Sequence, residues 1–288
     1  MKKIKTLGIT GSTGFVGANI TGYLKSKNYD IVIFSRNPKS VDKNKERKIS
    51  LKEKSADFFG LDCIIHCAWD FSVRGLKNNI AFNAQGTIAL MKKAKSDGIK
   101  KQIFISSLSA FEGCKSNYGK AKMIVEDYCK NNNITIIRPG LIYSEDSRGM
   151  MGFIEKLSRK SPVILLPGNG REKQYMCHTS DLSEMIIKVL DYEGSIGVKK
   201  PLIAGNEHGI NPKAIIRITI KKLGIADNRI YINIPAFFIL TPLRIAELLG
   251  LKLRLSSDSL VGLVNYNNNI DFSENKKIRM HFRVYGGN

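Results

Sequence analysis

Five cysteines, at positions 63, 67, 114, 129 and 177, are odd in number and too scattered for a disulfide framework, and no two form a Cys-x-x-Cys pair. This usage argues against a zinc site and points to a reducing, cytoplasmic compartment. The histidines stand apart from one another, and no metal is expected. Long apolar runs are also missing. The nearest, 230–249, is interrupted by Pro235, Pro242, Arg244 and Glu247, so no membrane span is expected, and peripheral contact with a bilayer stays open without being favoured. Met1-Lys2-Lys3-Ile4-Lys5 has the look of a secretory n-region, yet the stretch after it meets Gly8 and Gly11 without a cleavage pattern and reads as a first strand. Acidic residues are in short supply: 25 Asp and Glu face 46 Lys and Arg, a formal charge of +21. Arginine-rich blocks and interleaved aromatics are absent, so the bases read as a solvated face, with attraction to an anionic small molecule or membrane as the alternative and nucleic acid disfavoured.

What is present is an ordinary globular composition, 43% hydrophobic over 288 residues, with room for one large domain or two small ones. Short β-branched runs over 6–10, 31–35, 63–67, 102–106 and 135–138 alternate with helical patterns over 16–27, 79–96 and 118–130. This is the pattern of an α/β fold with a Rossmann-type doubly wound parallel sheet. After Pro139 loops rich in Gly, Pro and charge take over, with helical patterns over 181–190 and 213–223. The expected division is therefore a dinucleotide-binding domain over 1–140 and a smaller, mainly substrate-binding lobe over 141–288. Segments near 174–205 are expected to return to the sheet.

Thr10-Gly11-Ser12-Thr13-Gly14-Phe15-Val16-Gly17 lies between the first strand and the first helix. There the first glycine permits a tight turn, the second admits a pyrophosphate to the backbone, and the third lets helix and strand pack closely. Amides at the helix start then face the phosphates. Cofactor contacts are expected from Gly11, Thr13, Gly14, Phe15, Val16 and Gly17. At the end of the second strand Ser35-Arg36 stands where an NAD-specific site has a carboxylate, which favours NADP(H) over NAD(H). The alternative is a surface arginine ahead of the Asn37-Pro38 turn.

Tyr118 and Lys122, four apart on a helical pattern, share one face. An ammonium there is expected to favour the phenolate and lower the tyrosine pKa, making it a usable acid and base. Ser106 and Ser107 lie upstream at a strand end, where ligands bind in such sheets.

With these, Asp62-Cys63-Ile64-Ile65-His66-Cys67-Ala68, Asn83-Ala84-Gln85-Gly86-Thr87, Arg138-Pro139-Gly140 and His178-Thr179-Ser180-Asp181-Leu182 form an ordered series over about 4–223. The series resembles the extended short-chain dehydrogenases/reductases, in particular the nucleoside-diphosphate-sugar epimerase and ketoreductase branch. The resemblance implies that Ser107 hydrogen-bonds the substrate oxygen, with Ser106 as the adjacent alternative, and that Tyr118 is the general acid/base. It further implies that Lys122 holds the nicotinamide ribose, that Asn83 supports a water-linked proton path, that Cys67 and Ala68 line the cofactor, and that Pro139 and Gly140 flank the nicotinamide. His178 is expected to be structural, before an Asp181 helix cap.

Two departures bear on the substrate. Leu108-Ser109 replaces the acidic pair of sugar dehydratases, which disfavours dehydration. Gln174 stands where many sugar-nucleotide epimerases have a diphosphate-binding arginine, leaving Arg171 and Lys173 as candidates. The expected activity is NADP(H)-dependent reduction of a keto group on a nucleotide-linked sugar. The alternatives are an epimerase with bound NAD(P) or, in a different class, a non-catalytic dinucleotide sensor or membrane-surface assembly subunit. A homodimer is left open.

Overall fold

The computed structural model describes residues 4–287 apart from 147, 171, 252–254 and 268. Its strands are β1 (Thr6–Thr10), β2 (Asp30–Ser35), β3 (Glu46–Ser50), β4 (Ser55–Ala56), β5 (Cys63–His66), β6 (Lys101–Ile105), β7 (Thr135–Pro139), β8 (Leu141–Tyr143), β9 (Val163–Pro167), β10 (Met176–His178), β11 (Leu202–Ala204) and β12 (Ile230–Ile234). Eight of them form one sheet in the order β11-β7-β6-β5-β1-β2-β3-β4, parallel throughout except for β3 with β4. Strand order reverses at β1, flanked by β2 and β5. This is the Rossmann-type switch point, and ligands of such sheets bind beyond the carboxyl ends of the strands there.

The helices are α1 (Phe15–Ser26), α2 (Leu76–Asn79), α3 (Gln85–Ser96), α4 (Asn117–Asn131), α5 (Gly149–Lys160), α6 (Thr179–Asp191), α7 (Pro212–Lys222), α8 (Phe237–Leu248) and α9 (Ser257–Val264). All four residues of β5 are buried, as befits a central parallel strand covered on both faces. On one face α1 and α6 lay Ile20, Leu24, Leu182, Met185, Ile186 and Val189 against Leu7, Ile9, Ile65 and Ile103. On the other, α3 and α4 bring Leu90, Met91, Ala94 and Val125 against Phe34, Ile64, Phe104 and Ile136.

The structure departs from the sequence pattern in three places. The helix expected over 79–96 is broken into α2, a π-helical turn at Ile80–Ala84, and α3. The basic run 43–48 is half strand: in β3, Glu46 and Ile49 turn inward, Lys48 faces outward, and Arg47 is folded over the following loop, its Nη1 donating to the Asp57 and Phe59 carbonyls at 3.1 and 2.7 Å. Beyond Pro139, β8 pairs with β10 and β9 with β12, whereas β11 returns to the main sheet beside β7. At the outer edge of β11 the Asn275 side chain takes the place of a further strand. Its Oδ1 accepts from the Ile203 amide at 3.0 Å and its Nδ2 donates to the Ile203 carbonyl at 2.7 Å.

Candidate active site

The glycine turn is shaped by close backbone approach. Gly11 has φ +68°, and a Cβ there would lie 2.8 Å from the Ala68 backbone. A Cβ on Gly17 would lie 2.3 Å from the Gly11 carbonyl oxygen. The Gly14 amide donates to that same oxygen at 2.9 Å. No side chain caps α1 and no acid sits in its first turn, so its leading amides are left for an anion. Thr13 and Gly14 are exposed, and Phe15 and Val16 are half-buried beside them. Thr10 Oγ1 accepts from the Cys67 and Ala68 amides at 3.1 Å each, tying the loop after β5 to the end of β1. This cradle, which any added Cβ would fill, fits a dinucleotide pyrophosphate.

At the end of β2, Ser35 is buried and its Oγ donates to Glu46 Oε1 at 2.6 Å. Glu46 Oε2 accepts from the Lys39 and Ser40 amides, at 2.8 and 3.0 Å. The Ser35 bond, followed by these amides, holds the carboxyl below its usual range. Arg36, its side chain 84% exposed, has Nη1 3.6 Å from Asp70 Oδ2. The hydroxyl is thus engaged, whereas the guanidinium, beside Asp70, stays largely exposed.

Tyr118 lies in the first turn of α4, its ring 5.6 Å from each of Trp69 and Phe71, and Ser107, whose Oγ accepts from the Ser109 amide at 3.1 Å, stands near its hydroxyl. Burial pushes the phenol up, and the Ser107 hydroxyl nearby offsets part of this. Lys122 is buried, donates from Nζ to the Ile105 carbonyl at 2.8 Å, and sits 4.1 Å from the Trp69 ring centroid and 5.6 Å from that of Tyr118. Burial lowers its pKa to about 7, against the pull of Cys67 and Glu126. The expected lowering of the Tyr118 pKa by Lys122 is therefore not what the protein shows. The ammonium is itself disfavoured by burial and directed at a carbonyl and aromatic faces, so desolvation governs the phenol.

Ser106 is committed elsewhere, donating to buried Glu126 at 2.5 Å, and Glu126 also accepts from Arg138 Nε at 2.8 Å. Asn83, fully buried in the π-helical turn, accepts from the Asp70 amide at 2.8 Å and donates to the Asp70 carbonyl at 3.0 Å and to Asn79 Oδ1 at 2.9 Å. Its side chain clamps the loop after β5. Pro139 ends β7, and a Cβ on the adjoining Gly140 would lie 1.8 Å from the Tyr175 carbonyl oxygen. Gln174 Nε2 donates to the Leu263 carbonyl at 3.1 Å, so that amide is tied to α9. Lys173 is exposed and lines a cavity of about 450 Å³ with Gly209, Asn211 and Ala214. Arg171 lies outside the described residues. The cap of α6 is His178, whose Nδ1 accepts from the Ser180 amide at 3.2 Å, while Asp181 instead binds the Arg283 guanidinium.

Residues 7–200 match the model of the NAD dependent epimerase/dehydratase family. The chain belongs to that family. As such it is an NAD(P)-dependent enzyme of the epimerase/oxidoreductase type. A putative UDP-glucose 4-epimerase of Methanocaldococcus jannaschii is 26% identical over 228 residues, covering 65% of this chain and 74% of the relative. The UDP-glucose 4-epimerase of Thermotoga maritima, solved with UDP-glucose, has a TM-score of 0.65 at 17% identity and covers 90% of this chain and 96% of its own. The Thermus thermophilus UDP-glucose 4-epimerase, solved with NAD, has a TM-score of 0.61 at 16% identity, with coverage of 90% and 97%.

The family member carries one feature near Tyr118 that sequence reasoning missed. Asp258 of α9 accepts from the Asn117 amide at 2.7 Å and the Tyr118 amide at 3.0 Å, capping the helix that bears Tyr118. Its signal, an Asp following Ser256-Ser257, reads locally as the start of its own helix. Nothing in the sequence points 140 positions back along the chain.

Proposed function

We propose that this protein is a nucleotide-sugar epimerase that oxidises and re-reduces one carbon of its substrate with a retained dinucleotide. The observation that carries the reading is the common location of the glycine turn after β1, Cys67-Ala68 after β5 and Ser107 after β6, with Tyr118 opening α4 beside it, at the carboxyl ends of neighbouring strands. Gly11, Thr13, Gly14 and Gly17 would hold the pyrophosphate, Phe15 and Val16 the first turn beneath it, and Lys122 the ribose. Pro139 and Gly140 would flank the nicotinamide. When bound, this cofactor supplies two-electron oxidation and reduction at carbon. Tyr118 Oη would give its proton to the carbonyl oxygen in the reducing direction and take one from the sugar hydroxyl in the oxidising direction, the latter requiring that the positive charge of a bound oxidised nicotinamide offset the burial that raises the phenol. Ser107 Oγ, near the same phenol, would orient that oxygen. Asn83 acts through Asp70, keeping the loop at Ala68 in place. Lys173, with Arg171, is offered to the substrate diphosphate, and residues after 140 form most of the substrate side.

The likeness to UDP-sugar 4-epimerases supports a UDP-sugar as substrate. A second reading, NADP(H)-dependent reduction of a keto-sugar, is favoured by Ser35-Arg36 at the end of β2. A panel of UDP-sugars and keto derivatives, followed by product mass, isomer separation and NADPH absorbance, tests both. Isomer exchange without net NADPH consumption is expected. Tyr118→Phe should lower turnover by about 10² or more with dinucleotide affinity little changed, since a positioned acid is lost and the cradle is not. Full activity in that variant would overturn the assignment of the acid.

A further inference from the structure

A surface helix ordinarily turns its apolar stripe to the core and its polar face to water. In α8 no residue is buried. Phe238, Pro242, Ile245 and Leu249, spaced four, three and four, form an outward apolar line, with Phe238 59%, Ile245 52% and Leu249 73% exposed. Phe237, Leu248 and Leu251 widen it. The other flank supplies Leu240 and Arg244 to a cavity of about 410 Å³, also lined by Lys115, Asn117 and Asp258 beside the start of α4. Glu247, the one acid of α8, turns inward to the Ser257 amide at 2.9 Å and hydroxyl at 2.6 Å, with Arg74 3.5 Å away. The outer line therefore carries no negative charge. β12, which leads into α8, exposes Ile230 and Ile232 in register with exposed Val163 and Leu165 of β9.

We propose that α8 docks the protein on an anionic bilayer surface. Sequence alone does not favour such a contact; the fold adds the orientation of the apolar line, which the sequence does not carry. The formal charge of +21 selects the occupant, because a second copy of the chain repels at that charge whereas an anionic lipid surface attracts. Among the described residues no helix is long and apolar enough to cross a membrane, so α8 lies in the interface plane. The docking stands apart from the epimerase reading and survives its failure.

Flotation with phosphatidylcholine vesicles, with and without phosphatidylglycerol, tests it. The protein is expected to float with the anionic vesicles, to stay in solution with the neutral ones, and to be released at about 1 M salt, where screening shortens to about 3 Å. Phe238→Ser with Ile245→Ser and Leu249→Ser should lower the bound fraction about tenfold or more at an unchanged melting temperature, the three side chains being exposed. Absence of flotation, or equal flotation by the triple variant, overturns the proposal. So does a dimer in gel filtration that the triple variant converts to monomer, since the face then belongs to a second copy.

Discussion

Replacing Lys122 by Met removes a buried ammonium whose pKa burial lowers from 10.5 to about 7. The folded-state value lies below the unfolded one, so the penalty for charging Lys122 is fully present below about pH 7 and fades as pH rises toward 10.5. Between those limits the unfolded chain binds more protons than the folded one, and this group alone makes the protein more stable as pH rises. At about 1.4 kcal/mol per pKa unit, the full span is worth on the order of 3–5 kcal/mol. Lys122→Met lacks this dependence, while the lost hydrogen bond to Ile105 is a loss that does not change with pH. The quantity to measure is the difference in unfolding free energy between parent and variant, from urea titrations of the dinucleotide-free proteins at about pH 6.5 and about pH 9.5. The difference should move in favour of the parent by about 3 kcal/mol between the two. A difference that stays constant means that Lys122 ionises as an ordinary surface lysine, and the account of its burial beside Trp69 is wrong.

Asp258→Asn leaves a single carbonyl acceptor for the Asn117 and Tyr118 amides, so kcat should fall about tenfold while dinucleotide affinity holds, with Asp258→Glu recovering part of the loss. Steady-state kinetics beside fluorescence titration checks this, and an unchanged kcat would confine Asp258 to stability. If Arg36 meets a 2′-phosphate, the parent should bind NADPH more tightly than NADH, and Arg36→Ala should weaken NADPH by about tenfold, as loss of a charged phosphate contact does. Equal dissociation constants for the two cofactors in the parent would sink that expectation.

The central strands were legible because β1 and β5 are covered on both faces and so appear as short, largely apolar runs carrying β-branched residues, and the glycine turn because its spacing answers to backbone contact. Edge elements were not. In β3 only Glu46 and Ile49 are buried, and the rest of the strand looks like solvated charge. The π-helical turn at Ile80–Ala84 changes hydrogen-bond register without changing apolar periodicity, so the pattern over 79–96 reads as one helix. Glu126 reads as a helix-surface acid four positions after Lys122, yet it is buried and joins Ser106 to Arg138 across two strands and a helix. Partners brought from distant parts of the chain leave no local mark.

Asn275 seals the sheet at a strand made 72 positions earlier in the chain. Until that side chain emerges from the ribosome, Ile203 presents an open amide and carbonyl at the rim of a finished eight-stranded sheet, which is the template on which neighbouring chains add strands. The rim is thus closed by a segment that follows it late in the chain, Asn275 on Ile203 and Glu274 on the Gly197 amide. A truncation placed before Ser273 for convenience of expression would remove the seal and invite aggregation, however intact the glycine turn and Tyr118 remain.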